Sequence, residues 1–302
     1  MTPGVLILAG PTASGKTELA VALARRFNAE IVGADSRQIY RGMPIGTAAP
    51  NEAQRAAVPH HLVEFLDPHE RYSAARFAND ALRAIAEIAA RGRRAIVVGG
   101  TGFYIRALSG DVALGGARDE GLRARLAREA QVHSPEFLHG WLTAFDARRA
   151  KALEPGDRYR VVRALELALA RREGIRPEPE QRSLRAAGIP FEKLYLDVPI
   201  EILERRIADR VDRMLAAGFV EEAERLSGGA VAADAVGYPQ ALAYLRGFST
   251  GEELRAHLVR ATRRYAKRQA TWFRSEPNVL RISGLDAPAE IARRAIELPG
   301  WR

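Results

Sequence analysis

Close to the amino terminus, Gly10, Pro11, Thr12, Ala13, Ser14, Gly15, Lys16 and Thr17 read G-x-x-x-x-G-K-T. Glycines at this spacing let the backbone curl into a nest of N–H donors, and a helix opening at the last positions adds positive potential. The lysine supplies a cation and the threonine hydroxyl a ligand for Mg²⁺. Such a loop holds a diphosphate, and the motif does not say which one. A second chemical group follows in the run Asp35-Ser36-Arg37-Gln38-Ile39-Tyr40. A carboxylate at the carboxyl end of a strand supports magnesium, accepts a proton, or does no more than cap a turn. Gly99-Gly100-Thr101-Gly102 is a further glycine-rich turn after an apolar run, and taken alone it is a weak signal.

These groups need elements to bring them together. Val5 to Ala9, Glu30 to Ala34, His61 to Leu66 and Ala95 to Val98 are short apolar runs that read as buried strands. Lys16 to Phe27 and Ser73 to Arg91 carry helical apolar spacing, with Ser73 placed to cap the second. Alternation of this kind predicts an α/β fold, a P-loop NTPase-like parallel sheet with flanking helices. Strand signals vanish from about Asp111 to Pro190, where Arg, Ala, Leu and Glu recur at helical spacing after Gly115-Gly116. They return at Lys193 to Asp197 and near Val279 to Ile282. The expected division is a catalytic core of residues 1–112 and 190–302, interrupted by a helical insertion domain over 113–189.

Composition narrows the chemistry. The 302 residues include no cysteine, which removes disulfides, thiolate zinc sites and cysteine nucleophiles. None of the six histidines shows the i, i+4 spacing of a helical metal pair. No run approaches a membrane span, and no basic leader precedes the first strand, so a cytoplasmic protein without membrane contact is expected. The net charge of +9 suits a polyanionic partner.

That charge is unevenly placed. Leu254 to Arg274 holds seven Lys and Arg residues and no acid, and Leu254, Leu258, Ala261, Tyr265 and Trp272 form its apolar seam. Arg260, Arg264, Lys267 and Arg274 fall on another face of the same helix, as a line of cations for phosphates. In the insertion, Arg118, Arg123, Arg125, Arg128, Arg158, Arg160 and Arg163 are interspersed with acids, which by itself reads as an ion-paired surface.

The motifs in order resemble one family. GPTASGKT, Asp35 to Tyr40, Gly42-Met43-Pro44-Ile45-Gly46-Thr47-Ala48 and Val97 to Tyr104 are similar to blocks of the bacterial tRNA dimethylallyltransferases, the IPP transferase family. Arg160 to Glu166, Arg213 to Phe219, Gly237-Tyr238 and Lys267 to Arg274 extend the likeness over almost the whole chain. The resemblance implies transfer of a dimethylallyl group from its diphosphate to the N6 amine of the adenosine 3′ of the anticodon. It implies Asp35 as general base, Thr101 beside the acceptor nucleotide, Arg210 near the diphosphate and Mg²⁺ held through Thr17. It further implies that Asp35, Ser36, Arg37 and Gln38, with Thr101, Arg123, Tyr159, Arg160, Val161, Val162 and Arg163, contact the tRNA anticodon stem-loop. A monomer is expected, because one chain carries both substrate sites.

Two other enzymes would use the same loop. A small-molecule P-loop kinase also wants Lys16, Thr17 and Asp35, and an adenylate isopentenyltransferase acting on AMP would share every catalytic residue. Neither requires a basic insertion or a cationic terminal helix. A P-loop RNA-binding module without catalysis is a third reading, opposed by the conjunction of Asp35, Thr101 and a complete loop.

Overall fold

The computed structural model describes residues 3–112, 120–172, 182–226, 230–284 and 287–301. Gly115, Gly116 and Arg118 lie outside the described residues. One six-stranded sheet organises the chain, with β1 (Val5–Ala9), β2 (Ala29–Gly33), β3 (His60–His61), β4 (Arg94–Gly99), β5 (Phe191–Asp197) and β6 (Val279–Ser283). Their order is β3-β2-β4-β1-β5-β6, and every pairing is parallel. Parallel pairing puts the carboxyl ends of all strands on one rim, which is where such sheets bind ligands.

The strand β1 lies at the centre because all five of its residues are apolar, and both of its faces are covered by helices. Each Val, Leu or Ile side chain buried in this way stabilises the fold by about 1.5–3 kcal/mol. On one side Leu6, Leu8, Ile96 and Val98 pack with Leu23 of the helix Lys16–Arg26 and with Phe27, which caps its carboxyl end. The helix Ala74–Ala90 begins at Ser73, whose hydroxyl accepts the Arg76 N–H at 3.1 Å, the cap its sequence predicts.

One strand is shorter than its apolar run suggests. Of the run His61 to Leu66 only His61 joins the ladder, paired beside His60, because Leu62 and Glu64 take positive φ of 58° and 48° and turn the chain out of extension. The Glu64 and Phe65 N–H groups donate instead to the carbonyls of Gln38 and Ile39, which ties this segment to the loop after β2.

By its contacts the chain forms two compact units, Met1–Val112 with Arg182–Arg302, and Ala113–Gln181. The second boundary thus falls at Arg182 rather than 190. Leu184 is fully buried and donates its N–H to the Leu108 carbonyl, while Arg185 pairs with Asp111 at 2.7 Å. The other unit is helical in all its described elements: Glu120–Val132, Pro135–Phe145, Ala147–Lys151 and Arg158–Arg172. It has its own core of Leu126, Leu138, Leu142, Val161 and Leu165.

Candidate active site

The loop Gly10–Thr17 leaves β1 on the ligand rim. Gly15 takes φ of 86°, a left-handed conformation that glycine adopts freely, and from there the helix starts at Lys16. Lys16 folds back so that Nζ donates to the Pro11 carbonyl at 3.2 Å, which closes the loop on itself. Burial pushes its ammonium down to about 8, with Asp35 opposing that shift and Arg210 adding to it.

From the helix Ile200–Ala216, two guanidiniums one turn apart reach the same loop. Arg206 donates to the Ser14 carbonyl at 3.2 Å and Arg210 to the Thr12 hydroxyl at 3.0 Å. The Ser14 hydroxyl and Arg210 Nε are buried with no hydrogen-bond partner among the described residues. Buried donors without partners are costly, so their presence here fits an anion that would receive them.

Asp35 begins the loop after β2. The N–H groups of Arg37 and Gln38 donate to its Oδ1 at 2.9 and 3.4 Å, and no hydrogen bond among the described residues engages Oδ2. Thr101 comes from the loop after β4, and its hydroxyl accepts the Ser36 N–H at 3.0 Å. This approach is close enough to require glycine next door: a Cβ at Gly99 would lie 2.0 Å from the Ala34 carbonyl oxygen. Gln38 donates to the carbonyls of Thr47 and Ala48 at 3.1 and 2.9 Å, so the 42–48 segment is fastened to the same loop. Arg37 forms an ion pair with Asp234 at 2.7 Å. Thr12, Lys16, Asp35, Arg210, Tyr265 and Gln269 all line one cavity of about 250 Å³.

Thr17 sits half-buried at the start of its helix. Among the described residues no three carboxylate or imidazole side chains converge. A Mg²⁺ ion would therefore take Thr17 and otherwise substrate oxygens and water, a donor set that suits this hard, strongly hydrated cation.

The helical unit places the remaining expected residues on Arg158–Arg172 and its neighbour. Arg123 and Arg163 both pair with Glu166, at 3.1 and 2.5 Å, and that carboxylate is itself buried. Tyr159 is 83% exposed, and Arg160 is exposed beside Asp157. Val162 packs at the edge of the unit's core. Val161 is wholly enclosed in that core, so its side chain holds the helix together and has no face toward solvent. On the helix Gly251–Arg274, Arg260, Arg264, Lys267 and Arg274 are exposed and have no ion partner among the described residues.

Three contributors have no role assigned from the sequence, although Glu166 and Gln269 fall inside the blocks Arg160 to Glu166 and Lys267 to Arg274. Gln269 bridges two loops of the site, Glu166 orients two arginines, and buried Glu222 accepts the N–H groups of Ile45 and Gly46 at 2.9 and 2.7 Å. The usable signal was a polar residue at a buried position of a helical seam, which Gln269 carries.

A parallel α/β sheet with a phosphate-binding loop at the end of its first strand, an aspartate after the second and a separate helical unit defines a P-loop transferase-type architecture. The sequence matches IPP transferase over residues 38–276, and the chain belongs to that family. It is 46% identical over 296 residues to a tRNA dimethylallyltransferase of Anaeromyxobacter dehalogenans, covering 96% of this chain and 98% of that one. It is 44% identical over 282 residues to the Geobacter sulfurreducens tRNA dimethylallyltransferase, covering 91% and 90%. The crystal structure of a tRNA isopentenylpyrophosphate transferase from Bacillus halodurans superimposes with TM-score 0.68 at 36% identity, over 97% of this chain and 94% of that one. A eukaryotic dimethylallyltransferase acting on tRNA is also similar, with TM-score 0.74 and 26% identity over 97% and 78%.

Proposed function

We infer that this chain transfers a dimethylallyl group from dimethylallyl diphosphate to the N6 amine of the adenosine 3′ of the anticodon in tRNA, releasing diphosphate. The observation that carries the reading is one cavity lined by the diphosphate loop, Arg210 and Asp35. Family membership and the tRNA dimethylallyltransferase names of its relatives support it.

The adenine amine is a poor nucleophile because its lone pair is delocalised into the ring. Removing its proton as the C–N bond forms therefore lowers the barrier. Asp35 takes that proton on Oδ2, while the backbone N–H groups on Oδ1 hold the carboxylate still. As the prenyl carbon–oxygen bond breaks, its electron pair leaves with the diphosphate. The growing charge meets the loop N–H groups, Lys16 and the free Nε of Arg210, all fixed before the reaction starts. Mg²⁺, held by Thr17 and substrate oxygens, would neutralise part of the same charge when bound.

Thr101 and Ser36 present the acceptor side, and Arg37 and Gln38 extend it. The helical unit offers Arg123, Arg163, Arg160 and Tyr159 to the anticodon stem-loop. Phosphate contacts there would offset the few kcal/mol needed to extrude the target base. One chain supplies both substrate loops to one cavity, which supports action as a monomer.

The test is transfer of labelled dimethylallyl from its diphosphate to unmodified tRNA, wild type beside Asp35→Ala, with ATP and AMP controls. Label in tRNA that is lost in Asp35→Ala, while both substrates still bind, is the expected result. Label on AMP alone would reassign the acceptor, and ATP-dependent phosphorylation of a small molecule without transfer would make the protein a kinase.

A further inference from the structure

Gln269 lies on the buried side of the helix Gly251–Arg274, far in sequence from every loop it touches. Its Oε1 accepts the Thr12 N–H at 2.8 Å, and its Nε2 donates to the Gly100 carbonyl at 3.0 Å. Both bonds are buried. A backbone N–H can only donate and a carbonyl can only accept, so the amide has one permitted orientation. A flip would set N–H against N–H and oxygen against oxygen.

The two ends of this bridge belong to different halves of the chemistry. Thr12 is in the diphosphate loop, where its hydroxyl also receives Arg210 at 3.0 Å. Gly100 precedes Thr101, whose hydroxyl holds the Ser36 N–H beside Asp35. A side chain at position 100 would have to push the amide off its carbonyl partner. A Cβ at Gly100 would stand 2.2 Å from Gln269 Nε2 and 3.3 Å from the Gly10 carbonyl oxygen. If the helix needed only to be packed here, an apolar side chain of similar size would do so with no polar group to satisfy. An amide at this point does what an apolar residue does not: it ties together by hydrogen bonds the two loops that leave the paired strand ends Ala9 and Gly99, beyond the last residues the sheet ladder holds.

We propose that Gln269 is a positioning residue that fixes the diphosphate loop against the acceptor loop, so that the prenyl carbon and the adenine amine meet at bonding distance. The proposal rests on the transferase reading above. Gln269 acts entirely through Thr12 and Gly100. Its loss should therefore be felt in the chemical step more than in the affinity for either substrate alone.

The experiment compares Gln269→Leu, Gln269→Glu, Gly100→Ala and the double variant Gln269→Leu/Gly100→Ala with wild type. Single-turnover rates are measured with tRNA and dimethylallyl diphosphate both saturating, together with the Kd of each substrate and the thermal midpoint. Misplacement of reacting groups by about 1 Å costs on the order of 100-fold in rate, so Gln269→Leu should lose roughly 30- to 100-fold while each Kd changes by less than about 3-fold. Gly100→Ala breaks the same bridge from its other end, so the double variant should fall well short of the product of the two single losses. In Gln269→Glu an ionised carboxylate still accepts from Thr12 but repels the Gly100 carbonyl. Protonation restores the missing donor, so the rate of this variant relative to wild type should rise as pH falls. Wild-type rates in Gln269→Leu would overturn the proposal. So would losses that follow the folded fraction, multiply in the double variant and show no pH dependence in Gln269→Glu. Wild-type protein that transfers nothing to tRNA would overturn the transferase reading and the bridge's role with it, whereas active wild type beside an unaffected Gln269→Leu would overturn the bridge alone.

Discussion

Arg210 donates to the Thr12 hydroxyl at 3.0 Å, yet its Nε is buried with no hydrogen-bond partner among the described residues. Burial holds this guanidinium below its usual pKa, with Asp35 opposing the shift. A cation kept in this state is a cost to folding that an incoming anion removes. Arg210→Ala is therefore expected to lower kcat/KM for dimethylallyl diphosphate by about 100- to 1,000-fold while the thermal midpoint does not fall. Arg210→Lys should recover only part of the rate, because an ammonium lacks the fork that reaches Thr12 and an anion together. Steady-state kinetics and thermal unfolding of the three proteins decide this.

Lys16 predicts a pH dependence with a definite sign. Its folded-state value of about 8 lies below the ordinary 10.5, so the unfolded chain binds more protons between those two values. Its contribution to stability therefore rises with pH across that window, and the cost of burying the ammonium is fully present below it. Binding runs the other way: a diphosphate favours the charged lysine, so affinity should fall as pH climbs through about 8. Calorimetry near that pH, in two buffers of different ionisation enthalpy, should show proton uptake on binding of dimethylallyl diphosphate. Lys16→Met should show little of that uptake.

Glu222 anchors the 42–48 segment. Its buried carboxylate accepts the N–H groups of the half-buried Ile45 and Gly46 at 2.9 and 2.7 Å and the buried Tyr238 hydroxyl at 2.7 Å. Glu222→Ala leaves those donors unsatisfied, and about 1–3 kcal/mol of stability per orphaned group is at stake. Gly46→Ala attacks the same place sterically, because its Cβ would lie 2.5 Å from Phe219 and from the Tyr238 hydroxyl. Both variants should unfold at lower denaturant concentration than wild type, and Glu222→Ala should also raise KM for tRNA because Thr47 and Ala48 hold Gln38.

Arg123 and Arg163 share Glu166, which orients them while leaving each about one-third exposed. Their joint replacement by alanine should weaken tRNA binding at least 10-fold and leave binding of dimethylallyl diphosphate unchanged. Equal loss of both would indicate a misfolded variant. Arg260, Arg264 and Lys267 on the long helix act through charge alone, so their triple alanine variant should reduce the slope of log affinity against log salt by about 2. Binding titrations at several salt concentrations test both statements.

Some of this could be read from the chain alone, because it depends on local spacing. The loop Gly10–Thr17, the strands around it and the Ser73 cap are set by short-range stereochemistry: where glycine relaxes the backbone, where an apolar run fills both faces of a sheet, and where a hydroxyl replaces a missing helix bond. Asp35 and Thr101 were also legible, each as the residue that follows a buried strand on what must be a common rim. The strand expected over His61 to Leu66 was not, since its end is decided by Leu62 and Glu64 turning to meet the Gln38–Tyr40 loop.

The amino-acid sequence by itself determined a phosphate cradle, an all-parallel α/β frame, a helical insertion and an excess of positive charge, all of which follow from residue type and periodicity. Tertiary structure alone decided which distant groups complete the site. Gln269 meets Thr12 and Gly100, Arg210 turns its free Nε inward, Glu222 grips Ile45 and Gly46, and Glu166 pairs two arginines. No local pattern encodes these partnerships. They arise because a buried polar group must find its partner in whatever segment the packing of the sheet and helices brings within about 3 Å.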